Sequence, residues 1–111
     1  MNPYYEYLKE RNAALLKEAE QLRAQNRTDE SNLKKVAANI YDVCGTVIKV
    51  YMNRPGGGVE ACRAQLERFK REWGAAKEKA EEHNDTEKAV IEQVKLEALA
   101  DATARFEEAL R

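Results

Sequence analysis

Apolar residues recur along this chain every three or four positions, the period of an α-helix rather than the alternation of a strand. Asn2-Pro3 has the form of a helix start, with proline in the first turn where its missing N–H costs nothing. From there Leu8, Leu15, Ala19 and Leu22 mark one narrow stripe, predicting a first helix over about residues 3–26. Asn12 and Asn26 share that stripe, so its core face is weak. Thr28-Asp29-Glu30-Ser31 is a second start signal, a capping hydroxyl followed by carboxylates suited to the positive end of a helix.

The second helix, over about residues 29–53, is patterned differently. Lys35, Asn39, Asp42, Thr46, Lys49 and Asn53 form a single polar stripe, and nearly everything else is apolar. At 100° per residue the apolar arc is roughly 250°, whereas a helix at the edge of a small bundle needs little more than 100°. Either the other helices surround this one, or another chain covers part of it.

Arg54-Pro55-Gly56-Gly57-Gly58 is the one strong breaker and predicts a reversal. A third helix, over about 59–83, places Val59, Cys62, Leu66, Phe69, Trp73, Ala76 and Ala80 on an unbroken three-four seam, as in left-handed bundles. Phe69 and Trp73 are expected in the core, with Gly74 allowing a close approach beside Trp73. Asn84 and Glu87 have capping-box spacing ahead of a fourth helix over about 86–110, expected to bury Ile91, Val94, Leu99, Ala102 and Phe106. Four helices of similar length joined by short connections predict an all-α, up-and-down antiparallel four-helix bundle, with residues 1–111 forming one domain. Gln25 to Thr28 contains no Gly or Pro, so a hairpin, a bent continuous helix and a swapped arrangement all fit the first junction.

Composition narrows the function. Of 111 residues, 35% are charged, yet the net charge is −1, with +2 on residues 1–58 and −3 on residues 59–111. Neither half supplies the basic field needed for non-specific nucleic-acid binding or a polybasic membrane helix. The most apolar stretch, Val36 to Met52, is interrupted by Asn39, Asp42 and Lys49 and is too short to span a bilayer. Met1-Asn2-Pro3-Tyr4 carries no apolar run of a secretory leader, and a cytoplasmic protein is expected.

Candidate chemistry is sparse. A bundle di-metal centre needs paired Glu-x-x-His motifs, but the one histidine, His83, follows Ala80 by three residues. No Cys-x-x-Cys or histidine pair suggests zinc. Around a turn near Gly56, Cys44 and Cys62 are mismatched by six residues, about 9 Å along the axes, beyond the roughly 7 Å between Cα atoms that a disulfide spans. Both read as core filler. The glycine run lacks the lysine and hydroxyl of a phosphate loop and reads as a reversal, while Asp42 belongs to the polar stripe. No catalytic constellation, cofactor or metal is expected.

The aromatic residues are more suggestive. In an up-down bundle Tyr4 and Tyr5 lie level with Tyr51 and Met52, beside Arg54 and near Phe106. These six residues form the candidate interface or ligand site, or simply close that end of the bundle. The expected function is protein interaction or self-association, as a homodimer or with another helical protein. The alternative is a small-ligand-binding or sensory bundle with a pocket at the tyrosine-rich end.

Overall fold

A computed structural model describes residues 1–111 as four α-helices: α1 (Asn2–Ala24), α2 (Thr28–Asn53), α3 (Val59–Glu82) and α4 (Thr86–Ala109). Alternate helices run in opposite directions, giving the up-and-down bundle that the hydrophobic period predicts, with boundaries shifted by one or two residues. No helix is long and apolar enough to cross a membrane.

The first junction is a local hairpin. Asn26 takes a left-handed conformation, φ 62°, just beyond α1. The Arg27 N–H donates to the Leu22 carbonyl at 2.9 Å and the Asn26 N–H to Arg23 at 3.0 Å, satisfying carbonyls that the helix end would orphan. The α3–α4 junction repeats this arrangement around Asn84, φ 56°, with Asp85 bonded to the Ala80 carbonyl. Asn84 therefore closes α3 instead of capping α4. The cap is Asp85, whose carboxylate accepts the Lys88 N–H at 3.1 Å. Asparagine serves here because its short polar side chain tolerates the left-handed region better than most residues.

The glycine run closes α2 to α3 by geometry. Gly56 and Gly58 have φ of 74° and 126°, and a Cβ at Gly57 would collide with the carbonyl oxygens of Tyr51 and Arg54. The N–H groups of Gly57 and Gly58 donate to Arg54 and Tyr51, which occupies two of the donors an anion cradle would need.

The helices pack unequally. α2 and α4 each touch all three other helices, whereas α1 and α3 do not touch each other, so the spatial order is α1–α2–α4–α3. The result is a flattened bundle, 45 × 33 × 22 Å. This central position accounts for much of the wide apolar arc of α2. Val36, Val43 and Val47 remain half-buried, however, and Val50 is 53% exposed.

Small residues set the closest pairing. Ser31, Ala38 and Gly45, seven apart, lie along α2, and Ala19 of α1 is fully buried. A close approach of the backbones follows, and polar side chains bridge it. Ser31 Oγ donates to the Ala19 carbonyl at 2.7 Å, and Asn12 Nδ2 donates to the Ala38 carbonyl at 2.8 Å. The weak stripe of α1 thus gains specificity from Asn12 and Ser31 as well as from leucines.

Buried positions recur between the two hairpins. Tyr4 and Cys62, Leu8 and Leu66, Ile40 and Ala98, Tyr41 and Leu99, Cys44 and Ala102, and Ile48 and Phe106 are each 58 positions apart, as are Asn26 and Asn84. Both hairpins therefore turn equivalent faces inward although the paired residues differ in kind.

Three further expectations need correction. Phe69 and Trp73 are half-buried, stacked on each other at 4.9 Å, because α3 lies at an edge of the bundle. In α4, Ala98 and Glu92 are buried whereas Ile91 and Val94 are only half-buried, because a central helix contacts neighbours on several sides. A Cβ at Gly74 would meet nothing within 4 Å, so no close approach requires this glycine. Gly74→Ala is expected to stabilise the protein by about 0.5–1 kcal/mol, through lower unfolded-state entropy and better helix propensity. A urea midpoint unchanged or lowered would contradict this.

Candidate interaction surface

Of the six residues of the tyrosine-rich end, Tyr4, Tyr5 and Phe106 meet, and Tyr51 carries Arg54. Tyr4 is buried, 5.8 Å from the fully buried Phe106 ring and 6.0 Å from Tyr5. Its hydroxyl donates to the Ala102 carbonyl at 2.8 Å. Burial drives the Tyr4 phenol well above its usual pKa. Tyr51 and Met52 pack half-buried against the core, the Arg54 guanidinium lies 4.0 Å over the Tyr51 ring, and Lys49 covers Tyr5 at 4.8 Å. These contacts make the end a packed closure, and the main concavities lie along the sides of the bundle.

A cluster beside it was not anticipated from the sequence. Asp101 on α4 accepts hydrogen bonds through Oδ2 from the hydroxyls of Tyr7, at 2.5 Å, and Tyr41, at 2.7 Å. Arg105 lies over the Tyr7 ring at 4.5 Å and Arg11 over Tyr41 at 5.6 Å. One carboxylate thereby links α1, α2 and α4. Helical spacing gave a weak signal, since Tyr7 and Arg11 share one face of α1 and Asp101 and Arg105 one face of α4. Their meeting across 94 positions of chain is not a local property.

Burial, reinforced by the Asp101 bond, pushes the Tyr41 phenol up to about 12 from 10.0, and burial pushes the Cys44 thiol up to about 12 from 9.0. Tyr7 shifts the same way for the same reasons as Tyr41. Between the unfolded and folded values the native chain binds more protons, so stability falls as pH rises. The contribution is complete below about pH 9 and is lost towards pH 12. We expect the helical circular dichroism signal to survive at pH 8 and to collapse between about pH 10 and 12. A melting temperature constant from pH 8 to 12 would contradict the burial of these groups.

The cysteines are unbridged and buried, with Cys62 Sγ facing the Ile48 carbonyl at 3.7 Å. Glu92 is 6% exposed on the buried stripe of α4, and its partner is Lys95, whose Nζ lies 3.1 Å from Oε2 and 4.8 Å over Trp73. No three His, Cys, Asp or Glu side chains are grouped as a metal site requires.

Two large grooves flank α4. One, about 680 Å³, runs between α3 and α4 over Leu66, Leu96, Leu99 and Ala100. Near the end of α4, Arg63 binds Glu107 through two hydrogen bonds of 2.7 and 2.8 Å, which holds the Glu107 carboxyl below its usual pKa. The other, about 560 Å³, has walls of α1 and α4 and a floor of α2, and is lined by Leu15, Leu22, Leu33, Ala37, Val94 and Ala98. It exists because α1 and α4 barely touch. Tyr41 and Arg11 also line it, joining it to the Asp101 cluster. A concave, mainly apolar trough with charged rims suits an amphipathic helix. The chain matches no family model, no curated protein and no solved structure.

Proposed function

We propose that this protein is a helical self-association module, a homodimer whose role is binding rather than catalysis. The observation that carries this reading is the surface left uncovered. The chain exposes 7161 Å² for a mass of 12.7 kDa, where a folded monomer of that mass exposes about 6,200 Å². The excess, about 900 Å², is close to the roughly 800 Å² that each partner contributes to a standard interface. The radius of gyration, 15.1 Å, likewise exceeds the roughly 13 Å of a globular chain this long.

The surface also contains the large apolar side chains Leu16, Val50 and Val90, at 44%, 53% and 41% exposure. Both main grooves are open along the helices, a shape better suited to another helix than to an enclosed small molecule.

Light scattering across a concentration series tests the reading. A mass of about twice 12.7 kDa, dissociating on dilution, is expected. A mass of 12.7 kDa up to millimolar concentration would refute it.

A further inference from the structure

We infer that the rims of the groove between α1 and α4, floored by α2, form the dimer interface, and that a second copy covers the groove with the α1 wall of each protomer facing the α4 wall of the other. This placement rests on the self-association reading above.

Charge selects the groove. Five charged residues line it: Arg11, Arg27, Glu30, Lys34 and Glu97. Arg27 pairs with Glu30, and Lys34 lies 3.6 Å from Glu18, so these are compensated within the chain. Arg11 on the α1 wall and Glu97 on the α4 wall have no ion-pair partner. The trough thus has one uncompensated cation on one wall and one uncompensated anion on the other. In the α3–α4 groove, by contrast, Glu107 on the α4 wall is already held by Arg63, and the unpaired Glu67 and Lys70 stand together on the α3 wall, with no free charge opposite them.

The two charges stand at nearly the same level. Arg11 lies over the Tyr41 ring, the Tyr41 hydroxyl is bonded to Asp101, and Glu97 is one helical turn before Asp101 on α4. A twofold axis along the groove, parallel to the helices, keeps every residue at its level and exchanges the two walls. Arg11 then meets the partner's Glu97, and symmetry makes this contact twice. An axis across the groove would set like walls together and leave both charges uncompensated. Between the paired rims, the apolar lining, centred on Leu15, Leu22 and Val94, faces its own copy and is shielded from bulk water. The chain's whole surface exceeds that of a folded monomer of its mass by about 900 Å², enough for one side of such an interface.

A charge-swap cycle tests the placement on the full chain, by sedimentation equilibrium at low salt. Arg11→Glu and Glu97→Arg are each expected to raise the dimer Kd about 100-fold, roughly tenfold for each of two like-charge contacts. The double variant R11E/E97R is expected to return to within about tenfold of wild type. Glu97 makes one side-chain bond, from Gln93 on its own helix, so Glu97→Arg leaves the fold intact even if Arg11→Glu disturbs Tyr41. Circular dichroism checks both. If the wild type dimerises and neither swap weakens it, the groove is not the interface, although the association reading stands. If both swaps weaken it and the double variant does not recover, the exchange of walls is wrong. A wild type that stays monomeric overturns self-association itself.

Discussion

Phe106→Ala is expected to destabilise the protein by about 3–5 kcal/mol, the usual cost of emptying a fully buried aromatic site. Phe106 has no exposed surface and is the largest of the fully buried side chains. It packs against Tyr4 at 5.8 Å and belongs to the same cluster as Cys44, Ile48 and Cys62, none of which is exposed. Residues from all four helices meet in that cluster, so a void there weakens every pairing at once. Only 18 residues are buried, and few others can compensate. Domains have net stabilities of about 5–15 kcal/mol, so this single change removes a large share. Urea titration followed at 222 nm, at fixed protein concentration because a dimer would add stability, measures the effect. Arg71→Ala, at an exposed position of α3 outside the grooves, is the control and should change little. A Phe106→Ala loss below about 1 kcal/mol would mean that the core is not closed as described.

Asp101→Ala is expected to cost about 2–3 kcal/mol, unusual for a residue that is not itself buried. Its carboxylate accepts both the Tyr7 and Tyr41 hydroxyls, and hydrogen bonds to a charged acceptor are stronger than neutral ones. Truncation leaves the Tyr41 hydroxyl without its acceptor on a side chain that is 5% exposed. The partners can be separated by a double-mutant cycle with Tyr41→Phe. Removing both partners should cost clearly less than the sum of the single changes. Strict additivity would show that the bond contributes no coupling. Asp101→Asn keeps one acceptor oxygen and should retain part of the stability.

The helices were legible in the sequence because their determinants are local. The three-four recurrence of Cys62, Leu66, Phe69 and Trp73, the single polar stripe of α2 and the glycine run each report on a few neighbouring residues. The first junction was ambiguous for a local reason too. Asn26 and Asn84 end their helices in the left-handed region, where asparagine is a weaker signal than glycine. The unbridged state of Cys44 and Cys62 could likewise be anticipated from helical rise alone.

What the sequence by itself determined was therefore the number and span of the helices and the wide apolar arc of α2. Tertiary structure alone decided which helices touch and which side chains meet. Packing of the helices buries Glu92 and leaves Trp73 half-buried on the edge helix α3, outcomes that an average periodicity does not distinguish. The bonds from Tyr7 and Tyr41 to Asp101 join residues 94 and 60 positions apart, and their formation depends on distances of a few tenths of an ångström. A pattern of polar and apolar positions records whether a residue is shielded from water on average. It does not record the volumes and hydrogen-bond directions by which one helix selects its neighbour, and in this bundle those decide where the surface stays open.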